Sequence, residues 1–411
     1  MEYSFLFPND MHIHWSLMIV MYPYITGLVA GAFVVSALYH VFNIEVLKPV
    51  GRLALLASFA FLCFATLPLL NHLGHPERAM NIMMTPNFSS AMAGFGIIYN
   101  FYLLLLTLEV WLVYRVDIIE FAKTSRGLKR LLYKTLALGV YNVSPQALAL
   151  DHKLIKILAA IGIPGACLLH GYVGFLFGAL KANPWWSTPL MPIIFLFSAV
   201  VSGVALLIIV YQLCMKVRGE PIDQNCLSAM ARLLWLFMTI SVSLELLEII
   251  TLAYEQAEEW EVIGPLLSHQ LSFSFISLQL IIGALIPFIL LMILTLMNRY
   301  LHERVRNTLS FVASLLLLIQ VLSMRWNVVI GGQIFSKSFR GFRDYQPHFL
   351  EKEGILAAVI IFILPFILLY VINRFLPAFD SPSASHNGHD PLKNGTFDSP
   401  ACCYPKAGGP S

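Results

Sequence analysis

Residues 188–215 read TPLMPIIFLFSAVVSGVALLIIVYQLCM, a run without one Asp, Glu, Lys or Arg. A helix needs about 20 predominantly apolar residues to cross the hydrocarbon of a bilayer, so this stretch spans with length to spare for tilt. Working outward from it, eight more stretches qualify: 15–42, 51–71, 88–114, 154–180, 229–254, 267–298, 307–324 and 354–376. The chain of 411 residues is 58% hydrophobic and 12% charged, with a mean hydropathy of +0.76. A soluble domain carries about a quarter charged residues. A string of soluble domains is therefore excluded, and the fold class is an all-α polytopic membrane protein of about nine transmembrane helices in the lipid bilayer. The stretch from Leu128 to Leu150 is apolar on one side but holds Lys134, Asn142 and Pro145. It reads as an amphipathic helix on the membrane surface; if it spanned instead, there would be ten helices and everything after it would invert.

Charge sets the orientation. With nine helices and the N-terminus outside, nineteen of the 26 Lys and Arg fall on the cytoplasmic side and seven on the other. The connection 115–156 holds Arg115, Lys123, Arg126, Lys129, Arg130, Lys134, Lys153 and Lys156, while 255–266 has no basic residue. This bias predicts a multi-pass membrane protein with its N-terminus outside and its C-terminus in the cytoplasm. One loop resists: 325–353 is expected outside yet carries Arg325, Lys337, Arg340, Arg343 and Lys352. It reads either as a long loop that escapes the charge rule or as a docking surface for an acidic partner. The net charge of +3 gives no support to a nucleic-acid partner. None of the six cysteines stands in a CxxC pair, so iron–sulfur and zinc ligation lack sequence support. The first apolar stretch is too long for a signal peptide and is expected to remain as a helix.

Ionisable groups inside the bilayer cost about 2.5–3.5 kcal/mol on insertion scales and are default functional candidates. Glu109 in the third stretch and Glu245 and Glu248 in the sixth, three apart on one helical face, are candidates for a proton path; structural carboxylates are the alternative. Gln279 and Gln320 lie mid-helix. Histidines gather toward the outer face: His12, His14, His72, His75, His170 and His269. A b-type haem needs axial ligands on facing helices at matched depth, and no second, inner pair exists. A quinone head group instead needs hydrogen-bond donors for two carbonyl oxygens, and its reduction takes up two protons. His and Tyr supply both functions, and a helical bundle supplies an apolar slot for the tail. The Gly27-x-x-x-Gly31 spacing allows close helix approach.

Several loop motifs resemble one family. His72-Leu73-Gly74-His75-Pro76-Glu77-Arg78 resembles the D-L-G-R-P-E-R segment after the second helix of the polysulfide reductase membrane-anchor (NrfD/PsrC-like) proteins. Gly171-Tyr172-Val173-Gly174 resembles the Y-T-G element of that family. Pro184-Trp185-Trp186 and Pro189-Leu190-Met191-Pro192, with Phe195, Ser198 and Gly203, resemble its P-x-W…P-x-x-P…S…G run; Trp15, Pro23, Gly27 and Gly31 resemble its first-helix opening. The resemblance is carried by helices 1–5. It implies two four-helix bundles, to which this chain adds one extra helix. The organisation expected is a first bundle over 1–180 with the quinone site near the periplasmic face, a second bundle over 181–330, and an outer loop with an additional helix over 331–377; the shift to Ser, Pro, Gly and Asn predicts a disordered cytoplasmic tail over 378–411.

The resemblance further implies a respiratory oxidoreductase subunit of the bacterial inner membrane, its N-terminus periplasmic, that binds menaquinone or ubiquinone near the periplasmic face, without haem or an iron–sulfur cluster of its own. The partners it implies are a periplasmic ferredoxin-like iron–sulfur subunit and a molybdopterin or multihaem catalytic subunit. The chain by itself is not expected to act on the terminal substrate, and coupling to proton translocation is left open. Tyr172 matches the tyrosine that contacts the quinone; His14 lies where a polar quinone contact is placed, with His12 and Asp10 as alternatives. His72, His170 and Arg78 complete the candidate cofactor-binding set, and Glu77 joins Glu109, Glu245 and Glu248 in the proton path. Two departures stand out: the acid of the motif is His72 here, and its first Arg is His75. Two other classes stay open, a proton or ion transporter without a quinone and a haem-bearing anchor.

Overall fold

The computed structural model describes residues 6–7, 11–256 and 259–379. Asp10, and the expected tail from residue 380 onward, lie outside the described residues. Among the described residues there is no strand, only an isolated bridge between Phe335 and Phe342. Nine helices in this part of the chain are long and apolar enough to cross a membrane: α1 Leu17–His40, α2 Glu45–His72, α3 Ala91–Thr124, α4 Pro145–Gly178, α5 Met191–Arg218, α6 Gln224–Glu255, α7 Ser272–Leu296, α8 Glu303–Ile334 and α9 Ile355–Phe375. The chain is a multi-pass integral membrane protein. The end at which α1 begins is called upper, and its opposite lower.

The stretch 128–150 does not span. A short amphipathic helix covers Leu128–Leu136, with Leu128 and Leu131 exposed. From Pro145 the chain already belongs to α4, whose first turn is capped by Ser144 accepting from the N–H of Ala147 at 3.3 Å. Helices α3 and α4 thus both run past the expected hydrocarbon limits, and their lower ends are joined by a buried ion pair. Arg115 Nε donates to Asp151 at 2.8 Å, its Nη2 bonds the same carboxylate, and its Nη1 donates to the carbonyl of Asn142 at 2.9 Å. This arrangement satisfies a charge that neither helix could bury alone.

Packing follows from small residues. Helix α1 is buried on nearly every face and lies against α2, α4 and α5. Spans α1 to α4 form one ring of neighbours, α5 to α8 a second, and α1 and α5 meet between them. There Gly31 and Gly203 face each other. A side-chain carbon on Gly31 would lie 2.8 Å from the Cα of Gly203 and closer still to the carbonyl oxygen of Ala199. Helix α9 stands outside both rings. It buries a single stripe, Ala358, Ile361, Pro365 and Leu369, against α2, and Phe362 and Phe366 ring-pack on Phe61. Its lower end is held where the Tyr133 hydroxyl donates to the carbonyl of Phe375 at 2.8 Å.

Enlarging the α1–α5 contact is expected to be costly. Gly31→Leu should destabilise the fold by about 1–3 kcal/mol through overpacking, read as a lower thermal midpoint of detergent-purified protein. Gly171→Ala, at a position facing open space, should not lower it.

Candidate functional site

The upper end of the first bundle is built around the start of α1. Trp15 stacks on Trp186 at 4.9 Å and meets Phe177 edge-on at 5.6 Å. Its backbone N–H donates to Gln333 Oε1 at 3.0 Å, and Gln333 Nε2 returns a bond to the Trp15 carbonyl at 3.1 Å. The indole of Trp186 donates to the carbonyl of Val328 at 2.6 Å. The start of α1 is therefore joined to the end of α8 and to the α4–α5 loop.

Residues 335–354 then form a strap across this end. Tyr345 Oη accepts from the N–H of Leu17 at 2.9 Å; burial, with the carboxylates of Glu353 and Glu351 nearby, raises the pKa of its phenol and keeps it neutral. Asn71 Nδ2 donates to the carbonyl of Lys352 at 2.6 Å, and Lys352 Nζ to that of Leu73 at 3.1 Å. Between these bonds sits Glu353. One carboxylate oxygen accepts from His72 Nδ1 at 2.7 Å and from the hydroxyl of Ser16, the N-cap of α1. The pair is about a quarter exposed, 25% for His72 and 29% for Glu353, so it opens to water while staying fixed. Because Nδ1 is the donor to a carboxylate, the other nitrogen of neutral His72, Nε2, carries the lone pair, and it has no partner among the described residues.

The remaining candidates are distributed as follows. Tyr172 sits on α4, its ring beside Phe175 and its hydroxyl donating to the carbonyl of Ala91 at 2.8 Å, in the space that a side chain at Gly94 would fill. Across the same corner Tyr22 meets Phe95 edge-on at 5.1 Å, and its buried hydroxyl has no partner among the described residues. His14 is exposed just before α1, and Arg78 is exposed in the loop after α2. Glu77 pairs with His75 at 2.9 Å rather than with Arg78, both members well exposed; such a pair contributes little. His170 is fully buried and belongs to a different cluster. No direct bond joins Tyr172, His72 and His170 among the described residues.

That cluster centres on Arg325. Read from sequence as the first residue of an outer loop, Arg325 lies inside α8, which continues through a wide π turn at Asn327–Gly331 to Ile334. Its guanidinium is completely buried. It donates to Ser198 Oγ at 2.6 Å and to His170 Nε2 at 3.0 Å, and lies 3.7 Å over the ring of Phe195. Arginine stays protonated, so His170 Nε2 must accept, and the imidazole is neutral with its proton on Nδ1. His170 is committed to this cation and packs beneath Gly27.

Farther along α8 a second polar chain crosses the bundle of α5 to α8. Glu245 accepts from Gln279 at 2.8 Å and from Gln320 at 3.2 Å; Asn327 donates to Gln279 at 2.7 Å; Ser274 donates to Asn327 at 2.6 Å. Gln279 and Ser274 lie in the π-helical first half of α7, Ser272–Leu285, whose wider turn is a common device at polar sites. Glu248 is half-buried beside Thr188. Glu109 is fully buried in α3, and neither carboxylate oxygen has a partner among the described residues. Among the described residues no group of three or more His, Cys, Asp or Glu gathers as a metal site.

Comparison with known proteins agrees with this architecture. The family described as "Polysulphide reductase, NrfD" matches over residues 7–337, and the chain belongs to that family. It is 30% identical over 393 residues to a selenate reductase subunit of Mesobacillus selenatarsenatis, covering 91% of this chain and 88% of that one. It is 28% identical over 229 residues to a putative dimethyl sulfoxide reductase membrane subunit of Halobacterium salinarum, covering 56% and 50%. It is 22% identical over 352 residues to the "Hdr-like menaquinol oxidoreductase integral membrane subunit" of Archaeoglobus fulgidus, covering 82% and 76%. The family match ends before Glu353 and α9, whereas the alignment to the selenate reductase protein is long enough to reach Glu353 and nearly all of α9.

His170→Ala would leave a buried guanidinium N–H without its acceptor, at a cost of about 1–3 kcal/mol. A lower unfolding midpoint is the expected outcome, and a midpoint equal to that of the unsubstituted protein would contradict the arrangement.

Proposed function

We propose that this chain is the membrane subunit of a respiratory oxidoreductase complex, with a quinone or quinol site at its upper, periplasmic end and electron exchange with an iron–sulfur partner subunit. The names carried by the relatives, a selenate reductase subunit and a menaquinol oxidoreductase membrane subunit, support this reading. The terminal substrate then belongs to the catalytic partner. The observation that carries it is the His72–Glu353–Ser16 cluster at the mouth of the first bundle.

The donor set fits a quinone head group. Tyr172 offers a phenol, the buried hydroxyl of Tyr22 lacks a partner among the described residues, and His72 offers Nε2, while Phe95 and Phe175 give apolar walls. His14 and Arg78, exposed nearby, remain candidate contacts. A bound quinone couple supplies two-electron, two-proton chemistry, which no side chain here provides. The residues orient and move protons. Tyr172 Oη accepts from a hydroxyl while donating to Ala91, or rotates to donate to a carbonyl. Nε2 of His72 takes up a proton, and the resulting imidazolium is stabilised by Glu353 at 2.7 Å. Water at this partly exposed pair then removes the proton. The motif acid missing at position 72 is thus replaced by a carboxylate delivered from the strap.

Proton transfer deeper in the protein is a separate part of the proposal. The Glu245–Gln279–Asn327–Ser274 chain is a hydrogen-bonded line toward the upper end, while Glu109, Glu248 and Glu77 stand apart from it as individual candidates. The tip of the strap, with Lys337 and Arg340 exposed, supports docking of an acidic partner; Arg343 and Lys352 bond backbone carbonyls.

Steady-state quinol oxidation by the assembled complex tests this reading. His72→Ala and Glu353→Gln should each lower kcat by about 10²-fold or more, the usual contribution of a positioned base, while Glu220→Gln at the lower end leaves it unchanged. Tyr172→Phe keeps the ring and should raise KM for quinol. Native kinetics in all three upper-end variants would reduce the chain to a passive anchor.

A further inference from the structure

The groove between α6 and α7 at the lower end is remote from the quinone chemistry and has a graded lining. At its mouth is a cavity of about 490 Å³ whose wall includes Arg232, Arg299, Ser228 and Asn298, with no carboxylate. Arg306 reaches the same place, its Nη1 donating to Asn298 Oδ1 at 3.1 Å and its buried Nε unpartnered among the described residues. Arg232 bonds only the carbonyl of Ser228, at 3.3 Å. None of these three guanidiniums is ion-paired among the described residues. One turn deeper Trp235 lies against Phe288 at 6.0 Å, and its buried indole N–H has no partner among the described residues. Beyond it, between Met238 and Leu246 on α6 and Leu280 and Phe288 on α7, the same groove becomes an apolar slot of about 310 Å³.

Unpaired cations, then an orphaned donor, then a hydrocarbon slot is the order of groups along one lipid molecule. We propose that this groove holds an anionic phospholipid. The guanidiniums take the headgroup phosphate through charge-assisted bonds, as basic pockets at helix ends do. The Trp235 N–H meets an ester carbonyl at the depth where amphipathic indoles settle, and an acyl chain fills the slot. The charge at the mouth, uncompensated by any lining carboxylate, selects an anionic head over a zwitterionic one. This site is independent of the quinone reading.

Native mass spectrometry of the detergent-purified complex, washed and then supplied with phosphatidylglycerol or phosphatidylethanolamine, tests it. Phosphatidylglycerol should be retained in preference, and its retention should fall at least about tenfold in R232Q/R299Q, since each basic group near a lipid surface contributes about 1 kcal/mol. Both arginines are exposed, so the variant is expected to fold. Ala284→Trp, which fills the slot, should also release the lipid. Release by the arginine variant alone would point to a free phosphate or bare headgroup and overturn the proposal. With the unsubstituted protein, added sodium chloride should weaken phosphatidylglycerol retention and leave phosphatidylethanolamine unchanged. Equal retention of the two lipids, or salt-independent retention, would overturn it as well.

Discussion

A guanidinium buried in a helical bundle must find its partners inside the protein, and through them Arg325 joins three helices. Ser198 and the Phe195 ring come from α5, His170 from α4, and the cation itself from α8. Removing one of these partners leaves a buried guanidinium N–H unsatisfied, at a cost of about 1–3 kcal/mol. The two rings of helices are therefore held in one register at this depth. One turn above, the same helix bonds Trp186 through the Val328 carbonyl and Trp15 through Gln333. The upper platform on which α1 begins is thus referenced to the buried cation.

The segment leading into the extra helix adds a carboxylate to the platform. Helix α9 makes only a narrow apolar contact with α2, yet it is fixed at both ends, by Tyr133 below and by Glu353 with His72 and Ser16 above. The family match stops at residue 337. In this chain a segment outside the matched region therefore supplies the carboxylate behind His72, at the motif position where the resemblance leads one to expect an acid. The change at position 72 and the additional helix read as two halves of one rearrangement.

The number of spans was legible because hydropathy is a property of single segments and needs no knowledge of neighbours. The Gly27–Gly31 spacing marked a close approach, but its partner Gly203 lies on a distant helix and no local pattern pairs them. Arg325 was misread for a physical reason: a lone charge resembles the edge of a span, and only its three-helix environment shows that it is held inside the bundle. Glu353 was invisible because its bond to His72 joins residues 281 apart in sequence; the one available hint was an acid immediately ahead of an extra apolar stretch. Hydropathy also ended α3 too early and began α4 too late, since the Arg115–Asp151 pair allows both helices to continue past the apolar region.

The central claim is that this chain works as the quinone-handling membrane part of a redox complex. Isolating the native assembly in mild detergent, identifying its subunits by mass spectrometry and extracting its quinone tests that most directly. The account predicts an iron–sulfur protein and a molybdopterin or multihaem protein in the preparation, with quinone retained in near-stoichiometric amount. A chain that purifies alone, without redox partner or quinone, would contradict it and shift the weight to transport through the Glu245 network.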